Sequence, residues 1–296
     1  MPGDLRLIVV SGLSGSGKSV ALHVLEDLGY YCIDNLPAGL LLSAVDEVRR
    51  GNGDSPQNLA VGVDARNRAD DLDALPSLLQ KLRSQGVETD VIFLHASDEI
   101  LLKRYGESRR RHPLAQHGTQ LRAAIESERT VLSEVQMSAD LIIDTSQSSI
   151  YELADVIRSR VDRREKQSLS VLIESFGFKY GIPTDADFVF DLRSLPNPYW
   201  SLELRGLTGL DDEVQEFLDE QEKYGAMYED IRQFLGRWVP HYKNANRGYL
   251  TIAIGCTGGQ HRSVYMTEKL AAALREHHEP ILTRHNSLAE HRIHPD

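Results

Sequence analysis

The chain has 296 residues, long for one hydrophobic core and comfortable for two domains of ordinary size. Hydrophobic residues make up 41% and charged residues 26%, with no apolar run near the ~20 residues of a membrane span, which excludes an integral helical membrane protein. Acidic residues outnumber basic ones, 44 to 33, and the net charge of -11 excludes a chain that coats nucleic acid through its global field, leaving local basic patches open.

Up to about residue 165, short β-branched runs alternate with longer amphipathic ones, the pattern of a parallel α/β nucleotide-binding sheet. The runs LRLIVVS, YYCID, LAVGVD, DVIFLHAS and DLIIDTS predict strands, and helices are predicted over 18–28, 38–50, 70–85, 98–106, 118–137 and 148–165. Between the first strand and the first helix lies GLSGSGKS. Gly12, Gly17, Lys18 and Ser19 satisfy G-x-x-x-x-G-K-S, and Leu13, Ser14, Gly15 and Ser16 complete the loop. Glycines at these places let backbone N–H groups wrap phosphate oxygens; Lys18 is expected to meet the β- and γ-phosphates of a nucleotide and Ser19 to hold Mg²⁺. The alternative is a Gly-rich turn that only joins strand to helix.

A second acid for Mg²⁺ is expected at a neighbouring strand end. Asp64 in LAVGVDARN is preferred, while Asp34, ahead of Asn35 and Pro37, can equally cap the helix that starts at Pro37. Asp64, Ser97 and Asp144 all fall at predicted strand ends, the edge where ligands gather in open α/β sheets. Farther on, LLKRYGESRRRHPLAQ sets Arg104, Arg109, Arg110 and Arg111 before the helix-stopping Pro113. Small P-loop kinases carry an arginine-bearing lid at about this point, where guanidinium groups screen charge on a transferring phosphoryl group; a solvated basic helix end is the other reading. Nothing here marks a site for a phosphoryl acceptor. GNGDSP at 51–56 reads as a surface loop.

The charged segment RSRVDRREKQS ends the last helix, and the boundary is placed near 165–168, giving domains 1–165 and 168–296. The second, smaller domain also reads as α/β. It opens on LSVLIESFGFKYGIP, continues through FVFDL, the Pro-rich LPNPYW and an acidic helical stretch from about 211, and reaches YLTIAIGCTGG running into QHRSVYMTEKLAAALREHH. There Cys256, Gly259, Arg262 and Ser263 satisfy C-x-x-G-x-x-R-S, the spacing by which cysteine phosphatases cradle phosphate under a thiolate. Arg262 could grip two phosphate oxygens, and the N–H groups of 257–262 could lower the Cys256 pKa. Phosphatase chemistry would also need a general acid, for which Asp191 is the candidate; a buried cysteine under a tight turn is the bland alternative.

Cys32 and Cys256 match no disulfide or zinc spacing, which suits a reducing compartment, and the first residues lack the pattern of a secretory signal, so the cytoplasm is expected. His277, His278, His285, His291 and His294 crowd the last twenty residues, which read as a disordered polar tail.

The segments GLSGSGKS, YCIDNLP, VDARNR, RYGESRRRHPL, SFGFKYGIPTDADFVFDLRSLPNPYW and GCTGGQHRSVYMTE together resemble the bacterial RapZ/YvcJ family of nucleotide-binding proteins over almost the whole chain. The resemblance implies an N-terminal P-loop kinase-like domain with weak ATP and GTP hydrolysis and a C-terminal regulatory domain. It implies an RNase adapter that binds a small regulatory RNA, presents it to an endoribonuclease, senses glucosamine 6-phosphate and assembles as a homo-oligomer, a tetramer for the adapter. Carried onto this chain, Gly12 to Ser19 form the ATP loop, Asp64, Ala65, Arg66 and Asn67 the segment associated with GTP, and Cys256, Thr257, Gly258 and Arg262 the sugar-phosphate and RNA-related pocket. The chain departs from enterobacterial members at three places. It ends SLAEHRIHPD, with only Arg292 and two histidines, where they carry a basic run; Gln260 stands where they tend to have a basic residue, and Tyr199 where they have histidine. Each change weakens the expected phosphate contacts.

Overall fold

A computed structural model describes residues 5–50, 58–108, 111–115, 120–162, 169–245 and 247–288. The 51–56 loop, Arg109, Arg110, the 165–168 boundary and the tail residues His291, Arg292 and His294 lie outside the described residues. The chain divides into two compact units, Met1–Asp162 and Arg163–Asp296.

In the first unit, β1 (Arg6–Gly12) is buried at every position after Arg6, as a strand covered on both faces must be. It pairs in parallel with β3 (Asn58–Gly62) on one side and β4 (Glu88–His95) on the other. β2 (Tyr31–Ile33) and β5 (Leu141–Asp144) complete a five-stranded parallel sheet in the order β2-β3-β1-β4-β5. The connecting helices are α1 (Lys18–Asp27), α2 (Leu41–Arg50), α3 (Ala69–Ser84), α4 (Asp98–Ser108), α5 (Leu121–Val131), α6 (Ser133–Met137) and α7 (Ile150–Asp162). The helix expected over 118–137 is divided at Leu132, whose φ of -95° and ψ of 4° leave the helical region. Leu7, Val9, Val61, Val91 and Phe93 pack one core with Leu72, Leu75 and Leu79 of α3. Each such side chain contributes about 1.5–3 kcal/mol by leaving water.

The second unit repeats the parallel plan with β6 (Ser170–Gly177), β7 (Phe188–Asp191), β8 (Tyr249–Cys256) and β9 (Ile281–His285) in the order β7-β8-β6-β9. α8 (Asp212–Asp219), α9 (Glu222–Asn244) and α10 (Arg262–Arg275) supply Val214, Leu235, Val239, Met266 and Leu270 to a core shared with Ile173, Ile252 and Ile254. β9 corrects the expectation of a polar tail from His277 onward. Arg284 pairs with Glu174 across the β6–β9 ladder, and Ser175 Oγ lies 2.8 Å from His285 Nδ1, so polar side chains on this edge strand have partners on its neighbour.

Both sheets set a glycine loop at their centre. β1 lies between β3 and β4, β8 lies between β7 and β6, and each loop follows its strand at the carboxyl edge.

Candidate functional site

The loop after β1 is held by an accounting of its carbonyls. Lys18 Nζ donates to Gly12 O at 2.7 Å, Ser16 Oγ and N to Leu13 O at 2.6 and 3.0 Å, Arg104 to Gly15 O at 3.0 Å, Thr145 Oγ1 to Ser16 O at 3.0 Å, and Ala21 N to Gly17 O at 3.1 Å. With these five carbonyls occupied, the loop's remaining polarity is weighted toward N–H groups, which is what an anion site requires. The first amides of α1 add to it, because they have no intrahelical acceptor. Gly12 has φ of 139°, and a Cβ there would overlap the Leu94 carbonyl of the adjacent strand, so only glycine fits the exit from β1.

Burial pulls the Lys18 pKa below its ordinary value, opposed by the negative charges of Glu128, Asp64 and Asp34. Asp64 is buried and its two oxygens take the fork of Arg66, with Nη2 to Oδ2 at 2.6 Å and Nε to Oδ2 at 3.0 Å, while Arg66 N reaches Oδ1 at 2.9 Å. Burial alone would raise the Asp64 carboxyl, but the Arg66 bonds hold it below the usual range, so it is ionised. Ala65 is buried in the same turn. Asn67 closes it: its Nδ2 donates to Asp64 O at 3.1 Å and its Oδ1 accepts from Ala38 N at 2.6 Å. Asn67, not Asp34, therefore caps the turn at 38–40, correcting the capping alternative for Asp34. Asp34 is exposed at the end of β2. Ser19, Asp34 and Asp64 offer oxygen, the ligand type Mg²⁺ takes, with Asp64 engaged by Arg66, and among the described residues no three His, Cys, Asp or Glu side chains cluster as ligands. Mg²⁺ held by one or two carboxylates and a hydroxyl completes its shell with waters and phosphate oxygens.

The arginine segment has a different role from a lid at its first member. Arg104 Nη1 bonds Gly15 O and Thr145 Oγ1, both at 3.0 Å, and Nη2 bonds Thr145 O at 2.6 Å, so it braces the loop from behind. Asp144 and Ser97, the other strand-end residues, are joined through Ser146: Ser146 N donates to Asp144 Oδ1 and Ser97 N to Ser146 Oγ, each at 2.8 Å. Glu128 also reaches the phosphate loop, at Ser14, with His112 bonded behind it, and the sequence alone singles out neither as functional.

In the second unit, Cys256 Sγ accepts from Gly259 N at 3.2 Å and lies 3.2 Å from Ser263 Oγ. Burial would raise the thiol, but the Ser263 bonds, the Arg262 charge and the Gly259 N–H pull it below its ordinary value. Gly259, with φ of 71°, has no room for a Cβ against Gly177 and Ser287, so the loop is pinned to β6. Arg262 is buried, and its Nη1 is spent on the carbonyls of Leu192, Arg193 and Leu195 at 3.3, 3.2 and 2.7 Å; only Nη2 turns to the loop, 3.4 Å from Thr257 Oγ1. Arg193 is held as Arg66 is, with Nε to both Asp191 oxygens at 3.0 Å and Nη2 to Oδ2 at 2.7 Å, while its guanidinium lies 3.8 Å from the Phe178 ring centroid. These bonds hold the Asp191 carboxyl below its usual range, so it is ionised and unsuited to act as a general acid, which corrects the phosphatase assignment for that residue. A cavity of about 530 Å³ opens here, lined by Arg193, Asn197, Trp200, Lys223, Thr257 and Arg262. The sequence alone does not single out Arg193, Trp200 or Lys223 as functional; the signal for Arg193 is the Asp-x-Arg after a strand that DLRS shares with DARN.

Comparison with known proteins agrees with the two-part plan. The RapZ-like N-terminal domain family matches residues 5–165, and the RapZ C-terminal domain family matches residues 169–289. A nucleotide-binding protein of Halorhodospira halophila is 51% identical over 285 residues, 96% of this chain and 99% of its own. One from Hahella chejuensis is 48% identical over 286 residues, 97% of this chain and 100% of its own. Among solved structures, shikimate kinase from Bacteroides thetaiotaomicron aligns with 53% of this chain and 98% of its own at 14% identity and a TM-score of 0.35. The chain, with its phosphate loop at the centre of a parallel sheet, belongs to the RapZ family of nucleotide-binding proteins.

Proposed function

We propose that the protein is a regulatory sensor. Its first unit binds ATP or GTP with Mg²⁺ at Gly12–Ser19 and Asp64–Asn67 and hydrolyses it slowly, with Lys18 and Ser19 on the phosphates and metal and Asp64 as the nearby acid. Its second unit takes a sugar phosphate, glucosamine 6-phosphate, at Cys256, Thr257, Gly258 and Arg262. The observation that carries this reading is the pair of glycine loops, each central to its own parallel sheet and each beside an Asp-x-Arg turn with matching hydrogen bonds. Family membership supports the further role of an RNase adapter, a cytoplasmic homo-oligomer that presents a small regulatory RNA to an endoribonuclease. A cysteine phosphatase is disfavoured by the ionised Asp191 and by Arg262 Nη1 being tied to backbone carbonyls.

The test is thermal unfolding of the full chain with Mg-ATP, Mg-GTP or glucosamine 6-phosphate. A ligand that binds only the folded state stabilises it by RT ln(1 + [L]/Kd), about 2.7 kcal/mol at a hundredfold excess over Kd. Nucleotide and sugar phosphate should each raise the melting temperature, and Lys18→Ala should abolish the nucleotide shift while leaving the sugar-phosphate shift. No response to either nucleotide overturns the reading of the first loop, and no response to glucosamine 6-phosphate overturns that of the second.

A further inference from the structure

α5 carries a charge on its buried face. Ala124, Ile125 and Glu128 face inward together, and the Glu128 side chain is completely shielded from solvent. Its carboxylate is bound by the phosphate loop itself: Oε1 accepts from Ser14 Oγ at 2.6 Å and Oε2 from Ser14 N at 2.9 Å. Oε2 also meets His112 Nε2 at 3.0 Å. The His112 ring is equally shielded, and its Nδ1 accepts the Leu114 N–H at 3.2 Å, which leaves the proton on Nε2 to be donated to Glu128. Tyr105 packs against the same imidazole, with ring centroids 5.3 Å apart.

Ser14 is the third residue of a loop whose purpose is to offer N–H and O–H groups to phosphate, yet both of its donors are given to an internal anion. Glu128 is also foremost among the carboxylates acting on Lys18, ahead of Asp64 and Asp34, so its charge stands close to the ammonium that meets the β- and γ-phosphates. A neutral acceptor could fix the loop without the desolvation cost of a buried carboxylate. What a neutral side chain could not do is repel a second anion.

We propose that Glu128 is a specificity-determining residue of the nucleotide site: by taking both donors of Ser14 and placing a fixed negative charge there, it opposes the terminal phosphate and tilts the loop toward nucleoside diphosphate over triphosphate. This rests on the nucleotide reading of Gly12–Ser19. His112 is its positioning partner, tying the turn at 111–115 to the same carboxylate. Lys18 and the first amides of α1 remain to serve the β-phosphate.

The experiment compares the full chain with Glu128→Gln, which keeps shape and one acceptor but removes the charge, by calorimetric titration with Mg-ADP and the non-hydrolysable Mg-adenosine 5′-(β,γ-imido)triphosphate. The triphosphate should bind about 10-fold more tightly or better in the variant, while the diphosphate changes by less than about 3-fold. If Glu128 only braces the loop, both affinities fall together, and that equal change overturns the proposal. Should circular dichroism show that Glu128→Gln does not fold, Glu128→Met, of similar volume and without charge, must move the ratio in the same direction. If the unaltered chain binds neither nucleotide, the nucleotide reading fails and this inference with it; if it binds both and the ratio does not move, only the role of Glu128 is lost.

Discussion

Gly12 shows how much of the nucleotide loop is decided at a single residue. It must leave β1 with φ of 139° while its Cα passes against the Leu94 carbonyl, which itself accepts the Leu13 N–H at 3.1 Å. Gly12→Ala meets both the unfavourable dihedral and the backbone of a buried strand that has nowhere to move, a combined cost of roughly 3–4 kcal/mol. For a unit of this size that corresponds to a fall in melting temperature of roughly 10 °C, readable by calorimetry, with the secondary structure retained at low temperature. A loss below about 1 kcal/mol would mean the loop is looser than its geometry implies. Gly12, Lys18 and Ser19 were legible in the sequence because their spacing is the chemistry. Glu128 was not, because a glutamate in an amphipathic helix ordinarily faces water. The signal available was its position: four residues after Ala124 and four before Leu132, it interrupts an apolar stripe with a charge, and only the tertiary structure supplies the Ser14 and His112 donors that make this tolerable.

At the scale of elements, the strands most easily recognised were those buried on both faces, since β1 and β8 are near-continuous apolar runs. β9 escaped because ILTRH holds two apolar residues followed by three polar ones, and its polar side chains are satisfied by partners distant in sequence, Glu174, Ser175 and Glu268. The Glu268–His285 contact, at 3.1 Å between α10 and β9, gives a pH signature. The His285 bond outweighs burial and holds the Glu268 carboxyl below its usual range. A carboxylate depressed in the folded state contributes stability that is fully present above its unfolded value, ~4.3, and is lost as pH falls through the folded one. Glu268→Gln should therefore destabilise the protein at pH 7, by about 1 kcal/mol or less because the pair is partly exposed, and the gap to the unaltered chain should narrow as pH is lowered toward 3. Urea denaturation across that range measures it; a gap independent of pH would show that the contact owes nothing to ionisation.

At the scale of the whole molecule, a net charge of -11 has to coexist with any affinity for RNA. The global field repels a polyanion, so binding must come from a local patch strong enough to overcome it. The second unit has cations seated on aromatic faces: Lys179 lies 4.5 Å from the Tyr180 ring centroid, Arg193 3.8 Å from Phe178 and Arg205 4.7 Å from Tyr199, with Trp200 77% exposed and Lys223 lining the adjoining cavity. Bases of a single strand stack on such rings while the cations meet phosphates. With Lys179, Arg193, Arg205 and Lys223 as the available contacts, the slope of log K against log salt should be about -2 to -3, and raising salt from ~50 to ~200 mM should weaken single-stranded RNA binding roughly 20- to 60-fold. Trp200→Ala should lower affinity at every salt concentration without changing the slope, whereas Arg193→Ala should lower affinity and flatten the slope by about 0.7. A slope much steeper than -3 would place contacts beyond these four side chains. No binding at low salt would remove RNA from the proposed function of this chain.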